Sequence, residues 1–333
     1  MSTSAAARDG ASRAGILARA CLIGASGMGA SVTGASVCGF VAPAAADGCA
    51  GRLAAFNSAV DAAPAAADAS IAALVADPAC AGFVIPAQRR LAAARLAAAQ
   101  KLMAAQAPKA GYMPLILAAD APAVLWQAAA TRAEIFFGER RFAEAARAFD
   151  RAIDILGNDT MTPKAPTREA VESLVRRAAA ARLLAVNEGQ GEKGFVAAAA
   201  TRDGRLGGVF APRVRGVVPR AVPMPITFDY RSASLTEQGR LAASELARAI
   251  REQQPGAVRL VGHTDPRGGQ DFNRRLSVAR AESVAAFLKQ NGVPVAVEAE
   301  GVGADEPLQT DGLEGLTQED RYALDRRVEW RRE

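Results

Sequence analysis

Histidine occurs once in these 333 residues, at position 263. A zinc hydrolase draws on several imidazole ligands, so the usual amidase metal set is excluded. Every histidine-dependent catalytic triad falls with it, except one built on His263. Aromatic residues are also scarce, at 5% of the chain, although half of the residues are hydrophobic. Alanine supplies much of that half, which favours helices packed through small side chains over a large aromatic core. Basic charge is modest, with a formal net of +5. From residue 222 onward the balance turns acidic, with 15 basic and 18 acidic side chains. A duplex partner calls for a clustered basic face, so nucleic-acid binding is disfavoured. No glutamate carries a motif that would mark a transglycosylase acid, and no nucleophile–base pair stands out. The expectation is a chain with no catalytic residues, no metal and no cofactor.

The first 46 residues read as an export signal. Arg8, Arg13 and Arg19 precede a weakly apolar, Gly/Ser-rich run from Ala20 to Val41, and Pro43-Ala44-Ala45-Ala46 follows. A basic start, an apolar middle and small residues at the cut point to cleavage after Ala46. The rival is an uncleaved membrane anchor, for which the Gly and Ser content makes a poor permanent helix. A lipoprotein signal is disfavoured, because Ala46-Asp47-Gly48 before Cys49 lacks the branched apolar residue expected there. Of four cysteines, Cys21 and Cys38 leave with the signal. Cys49 and Cys80 remain, and in an exported protein they are expected to form one disulfide, the alternative being two buried thiols.

Residues 47–190 read as an all-helical domain. Asp68 to Val75 and Pro86 to Gln106 suit helices broken at Asp77-Pro78 and near Pro108, a hairpin pinned by Cys49–Cys80. Farther on, Phe136, Phe142, Ala145, Phe149 and Ala152 fall at intervals of six, three, four and three. The run Arg140 to Ile153 resembles the second helix of a tetratricopeptide repeat, in which small residues let paired helices approach. A second repeat is expected at 167–186, with Thr167 as its cap. Two readings stand: a groove that takes an envelope protein partner, or an all-helical spacer, since one repeat cannot bury its own face.

Residues 191–221 form a Gly/Pro/Arg-rich linker, with short strands expected at Gly208–Phe210 and Val214–Val218. Residues 222–333 then alternate strand and helix. Ile226, Phe228 and Tyr230 suit a first strand. Ser234, Thr236 and Glu237 signal a helix to about Gln254, with Leu241, Leu246 and Ile250 inward. Val295, Val297 and Ala299 suit another strand. A short helix from Gln318 and a last strand with Val328 and Trp330 inward complete a β-α-β-α-β-α-β order with a mixed sheet.

The densest information lies at 258–284. Val258, Leu260 and Val261 suit a buried strand that ends at Gly262, with His263 packing behind the loop. Pro266, Gly268 and Gly269 force a tight loop that carries Asp265. A long amphipathic helix starts near Asn273, and Gly292 stands where it would end in the left-handed conformation. Asn273, Ser277 and Arg280 are spaced by four and three, so they share a face. If that face turns to the loop, Arg280 can approach Asp265. The pair would then either tie loop to helix as a salt bridge or hold a zwitterion bearing an ammonium and a carboxylate.

Gly262-His-Thr-Asp265, Gly268, Asn273, Leu276-Ser277, Arg280-Ala281 and Val284 resemble the signature of the OmpA-like peptidoglycan-binding domain, in order and in spacing. The likeness extends from about Pro223 to Glu333 and includes Gly301-Val-Gly and Arg326-Arg327-Val328. It implies an α+β fold for this third of the chain. It also implies that Asp265 binds the amine of the diaminopimelate residue in a peptidoglycan stem peptide, and that Arg280 binds its carboxylate. Asn273 and Arg326 would line the same pocket. Asp325 departs from the Asn usual in the family, and would place a negative charge beside Arg326. The resulting expectation is a periplasmic, cell-wall-associated protein that binds peptidoglycan non-covalently, with a helical module for spacing or partner binding. The alternatives are a peptidoglycan-remodelling enzyme, disfavoured above, and a helical scaffold with a vestigial wall domain.

Overall fold

The computed structural model describes residues 44–187, 207–210, 214–218, 220–310 and 313–332. The export signal expected at 1–46 lies outside these residues up to position 43, as does most of the stretch 191–221. Seven helices come first: α1 (Ala44–Ala62), α2 (Asp68–Val75), α3 (Ala81–Ala104), α4 (Lys109–Asp120), α5 (Trp126–Gly138), α6 (Phe142–Gly157) and α7 (Arg168–Asn187). Cys49 and Cys80 are joined by a disulfide, with Cα atoms 5.6 Å apart. Around it, Phe56, Val60, Leu74, Ala87 and Leu91 form a small apolar cluster of α1–α3. The break after α2 has a local cause: the Asp77 carboxylate accepts from the Ala79 N–H ahead of a 3-10 turn that opens with Pro78. Helix α3 begins at Ala81, five residues before the expected start at Pro86. A proline so near a helix start removes a single hydrogen bond, to the carbonyl four residues back, and the helix tolerates it.

Helices α5 and α6 make a tight hairpin. Ala129, Ala133, Phe136, Phe142, Ala145, Phe149 and Ala152 are all buried in it. Phe137 and Phe142 meet edge-on across the turn, with ring centres 5.1 Å apart. The Thr167 hydroxyl accepts from the Ala170 N–H at the start of α7. Between α6 and α7 the buried Arg182 donates to Asp150 at 2.9 Å. The expected strand at Gly208–Phe210 is instead a 3-10 turn. Gly208 has φ +59, and a Cβ there would lie 2.2 Å from Asp150 Oδ1, so the position takes only glycine. Its N–H donates to Asp154, whose carboxyl burial pushes up to about 6. Val214 and Val217 form an isolated bridge with each other, around a turn with Arg215 and Gly216 at positive φ.

The remaining elements are β1 (Ala221–Met224), α8 (Glu237–Gln253), β2 (Ala257–His263), α9 (Gln270–Gln290), β3 (Ala296–Gly303), α10 (Gln318–Asp325) and β4 (Val328–Arg331). The fold is α+β: a helical N-terminal region and a four-stranded mixed sheet in the order β1-β4-β2-β3. Strand β4 runs antiparallel to β1 and β2, while β2 and β3 are parallel. The first strand is Ala221–Met224 and not the Ile226-Phe228-Tyr230 alternation. Pro223 is tolerated because β1 is an edge strand, and Pro225 ends its ladder by removing a donor. Phe228 then makes only an isolated bridge to Leu235. Thr236 caps α8 through the Gly239 N–H. Leu241 is 48% exposed and not inward as expected. It lies five residues before Leu246, well off the stripe made by Ala242, Leu246 and Ile250. One apolar cluster contains both the α5–α7 residues Phe149, Leu156 and Leu183 and the sheet residues Val222, Leu260 and Trp330.

Candidate functional site

Backbone proximity places the site. Gly262 on β2 and Gly301 on β3 stand opposite each other in the register. A Cβ on Gly262 would meet the Ser277 carbonyl oxygen at 2.1 Å, and one on Gly301 would meet the Val278 nitrogen at 2.2 Å. Only with glycine at both positions can α9 lie this close to the two strands. Ser277 locks the contact: its hydroxyl accepts from the Gly303 N–H at 2.9 Å and donates to the Arg274 carbonyl. The helix ends in a Schellman motif, with Gly292 at φ +69 and the Val293 N–H donating to the Leu288 carbonyl. A helix seated this way sets the positions of Asn273 and Arg280.

Asp265 follows β2 in the loop. Its Oδ1 accepts from the Arg267 N–H at 3.0 Å. Its Oδ2 accepts from the Arg267 guanidinium at 2.7 Å and from Arg326 at 2.8 Å. Burial would push the Asp265 carboxyl up, but the two guanidiniums outweigh it and hold the group below its usual range. Asn273 braces the loop from α9, donating to the carbonyls of Asp265 and Arg267 at 3.2 Å each. Glu319, at the start of α10, lies 3.3 Å from both Arg267 and Arg326.

Arg280 is placed differently. It is 7% exposed, its Nε donates to the Ser232 carbonyl at 3.1 Å, and its guanidinium lies 5.0 Å from the centre of the Phe228 ring. Among the described residues no carboxylate pairs with it. Burial, with the Arg326 charge nearby, pulls it down to about 10, against the opposing effect of Asp265. It remains charged at neutral pH. The four residues singled out from the sequence, Asp265, Asn273, Arg280 and Arg326, therefore line one cleft of about 770 Å³. The Asp265–Arg280 salt bridge, one of the two sequence readings, is absent from it. Asp265 is engaged by Arg267 and Arg326 instead.

Asp325 does not neutralise Arg326. It turns away, accepting from the Leu308 N–H at 2.9 Å, and burial pushes its carboxyl up. His263 is fully buried behind the loop, with Nε2 3.4 Å from Glu329 Oε2. Glu329 is buried too, yet His263 and Arg327 outweigh that burial and hold it at about 2. Arg267 and Glu319 escaped the sequence reading. The Asp-Pro-Arg-Gly turn was a usable signal for Arg267, whereas Glu319 stands 54 residues from Asp265 with no local mark.

Residues 227–321 match the model of the OmpA family. They form an OmpA-family domain. The chain is 35% identical over 105 residues to the probable lipoprotein YiaD of Escherichia coli, covering 31% of this chain and 48% of that one. It is 37% identical over 84 residues to the outer-membrane lipoprotein YfiB of Pseudomonas aeruginosa, covering 25% and 50%. Among solved structures it is similar to the cell wall anchor of the T6SS from P. aeruginosa, at 30% identity over 33% of this chain and 76% of that one, with a TM-score of 0.27. The chain spans about half the length of the curated relatives it matches. The OmpA-family match takes in Asp265, Asn273, Arg280 and Glu319, and stops short of Arg326.

Proposed function

We propose that this chain is a non-catalytic cell-envelope protein that holds peptidoglycan non-covalently, through the diaminopimelate residue of the stem peptide. The observation that carries the reading is Arg280: a nearly buried guanidinium without a carboxylate partner among the described residues, beside an ionised Asp265 in the same cleft. Burying a cation unpaired is costly, which supports a ligand carboxylate as its partner. The carboxylate would take a bidentate grip from the Arg280 nitrogens left free by Ser232, and the ligand ammonium would sit on Asp265. Asn273 keeps the loop in place for that contact, and Arg326 holds Asp265 ionised. The OmpA-family match and the envelope relatives support the same reading.

In this reading the protein works in the periplasm, and the helical region spaces the wall site from, or recruits, another envelope protein. The α5–α6 hairpin, with its small residues at the crossing, is the tetratricopeptide-like element of that region. The test is co-sedimentation of the purified protein with diaminopimelate-containing sacculi, beside Asp265→Ala and Arg280→Ala variants whose folding is checked by circular dichroism. The native protein should pellet and both variants should remain in solution. Equal pelleting of all three proteins would overturn the assignment.

A further inference from the structure

The Asp265 carboxylate is crowded at Oδ2. Oδ1 holds a backbone N–H, and Oδ2 holds two guanidinium donors, from Arg267 and Arg326. An ammonium that approaches Oδ2 must replace one of the two guanidiniums. Arg326 has 27% of its side chain exposed, whereas Arg267 has 54% exposed and reaches Asp265 from the loop surface. Arg267 is thus the more easily displaced donor. It also has somewhere to go. Glu319 already lies 3.3 Å from its Nη1, and the Tyr322 ring centre lies 4.8 Å from its guanidinium carbon.

We propose that Arg267 is an internal competitor for the ammonium position: it occupies Asp265 in the free protein and passes to Glu319 when a ligand ammonium arrives. This rests on the diaminopimelate reading of the cleft and adds a selectivity device to it. A ligand with an ammonium alone has to displace Arg267 for one charge-assisted contact. A zwitterion gains the Arg280 contact in the same event, so it meets the cost and still binds. The pocket thereby discriminates in favour of ligands that carry both charges at the right separation. Arg326 and the Arg267 N–H stay on Asp265 throughout, so the carboxylate remains ionised and positioned when the Arg267 side chain leaves.

The predicted sign is opposite to that of an ordinary binding arginine. The probe is the tripeptide L-Ala-D-Glu-meso-diaminopimelate, titrated into the full chain by calorimetry, with the same tripeptide acetylated on its free side-chain amine as the comparison. Arg267→Ala should tighten binding of the free-amine peptide by about three- to fivefold, the scale of a half-exposed ion pair. Binding of the acetylated peptide should be unchanged by that substitution. Glu319→Gln should weaken binding of the free-amine peptide in the native background, and weaken it less in the Arg267→Ala background. Added salt should shrink the gain from Arg267→Ala, because the competing pair faces solvent. If Asp265→Ala abolishes binding while Arg267→Ala also weakens it, Arg267 is a ligand contact and the competition is refuted. If the native chain binds neither peptide, or Asp265→Ala binds as the native does, the underlying diaminopimelate reading fails and the competition with it.

Discussion

Replacing Gly301 by alanine should damage both stability and the binding cleft, and its size can be worked from the packing of α9. The added Cβ would stand 2.2 Å from the Val278 nitrogen, 2.3 Å from Ser277 Oγ and 2.6 Å from the Ser277 carbonyl carbon. Two of these are backbone atoms of a helix, with no side-chain torsion to relieve them. Ordinary contact lies near 3.5 Å, so α9 has to retreat by roughly 1 Å. Overpacking of this kind costs about 1–3 kcal/mol. The retreat also breaks the hydrogen bond from the Gly303 N–H to Ser277 Oγ, and a buried donor left unpaired costs about 1–3 kcal/mol more. The expected loss is therefore about 2–6 kcal/mol, read as a fall in the urea midpoint at constant slope. Gly256→Ala is the matched control, since its Cβ would meet nothing within 4 Å and should change stability by less than about 0.5 kcal/mol. Where the variant still folds, Arg280 and Asn273 shift with the helix, and sacculus binding should weaken as well. Gly301→Ala unfolding at the same urea concentration as the native protein would refute the backbone-contact argument.

Other outcomes follow from contacts elsewhere. Arg140, in the α5–α6 turn, donates from both terminal nitrogens to Asp320 at 2.8 Å each. Arg140→Ala should cost about 1–2 kcal/mol by thermal unfolding, less than a fully buried charged pair because Arg140 is half exposed. The Arg140 hydrogen bond and Thr317 outweigh burial and hold Asp320 at about 2, against 3.8 when unperturbed. Its contribution is thus complete above about pH 4 and is lost as the pH falls toward 2; in Arg140→Ala, where the native carboxyl is less depressed, the fall of Tm between about pH 4 and pH 2 should be shallower. Reducing Cys49–Cys80, which closes a separation of 31 residues, should destabilise the α1–α3 cluster by about 3–4 kcal/mol. Limited proteolysis should then cut α1–α3 first while sacculus binding persists, because that cluster shares no residue with the core under the cleft. Phe149→Ala should cost about 3–5 kcal/mol by urea unfolding, since the ring is wholly buried.

The elements legible in the sequence are those whose signals are local. Asp77 and Pro78 end a helix because a side chain two residues away caps the next turn. Thr236 and Gly292 bound their helices by the same short-range means. Asn273, Ser277 and Arg280 share a face because helical geometry fixes their spacing. The first strand was misplaced because alternation at 226–230 looks the same whether or not a ladder partner exists. Proline at 223 is compatible with the strand, because an edge strand needs no donor on its outer side. Leu241 was misassigned because hydrophobicity, without a phase angle, does not say which way a helix turns a side chain.

By itself the sequence determined the order of strands and helices in 222–333, the motif residues of the cleft, and a single histidine that cannot supply the several imidazole ligands of the usual zinc amidase set. Those features depend on residue type and on separations of a few positions. Tertiary structure alone decided which charges meet. It put Arg326 on Asp265, brought Glu319 to Arg267 from 52 residues away, turned Asp325 toward Leu308, and left Arg280 lining the cleft with no carboxylate in ion-pair contact among the described residues. Ion pairing falls off with distance in space and is indifferent to distance along the chain, so no local pattern could have assigned Arg326 to Asp265 or Glu319 to Arg267.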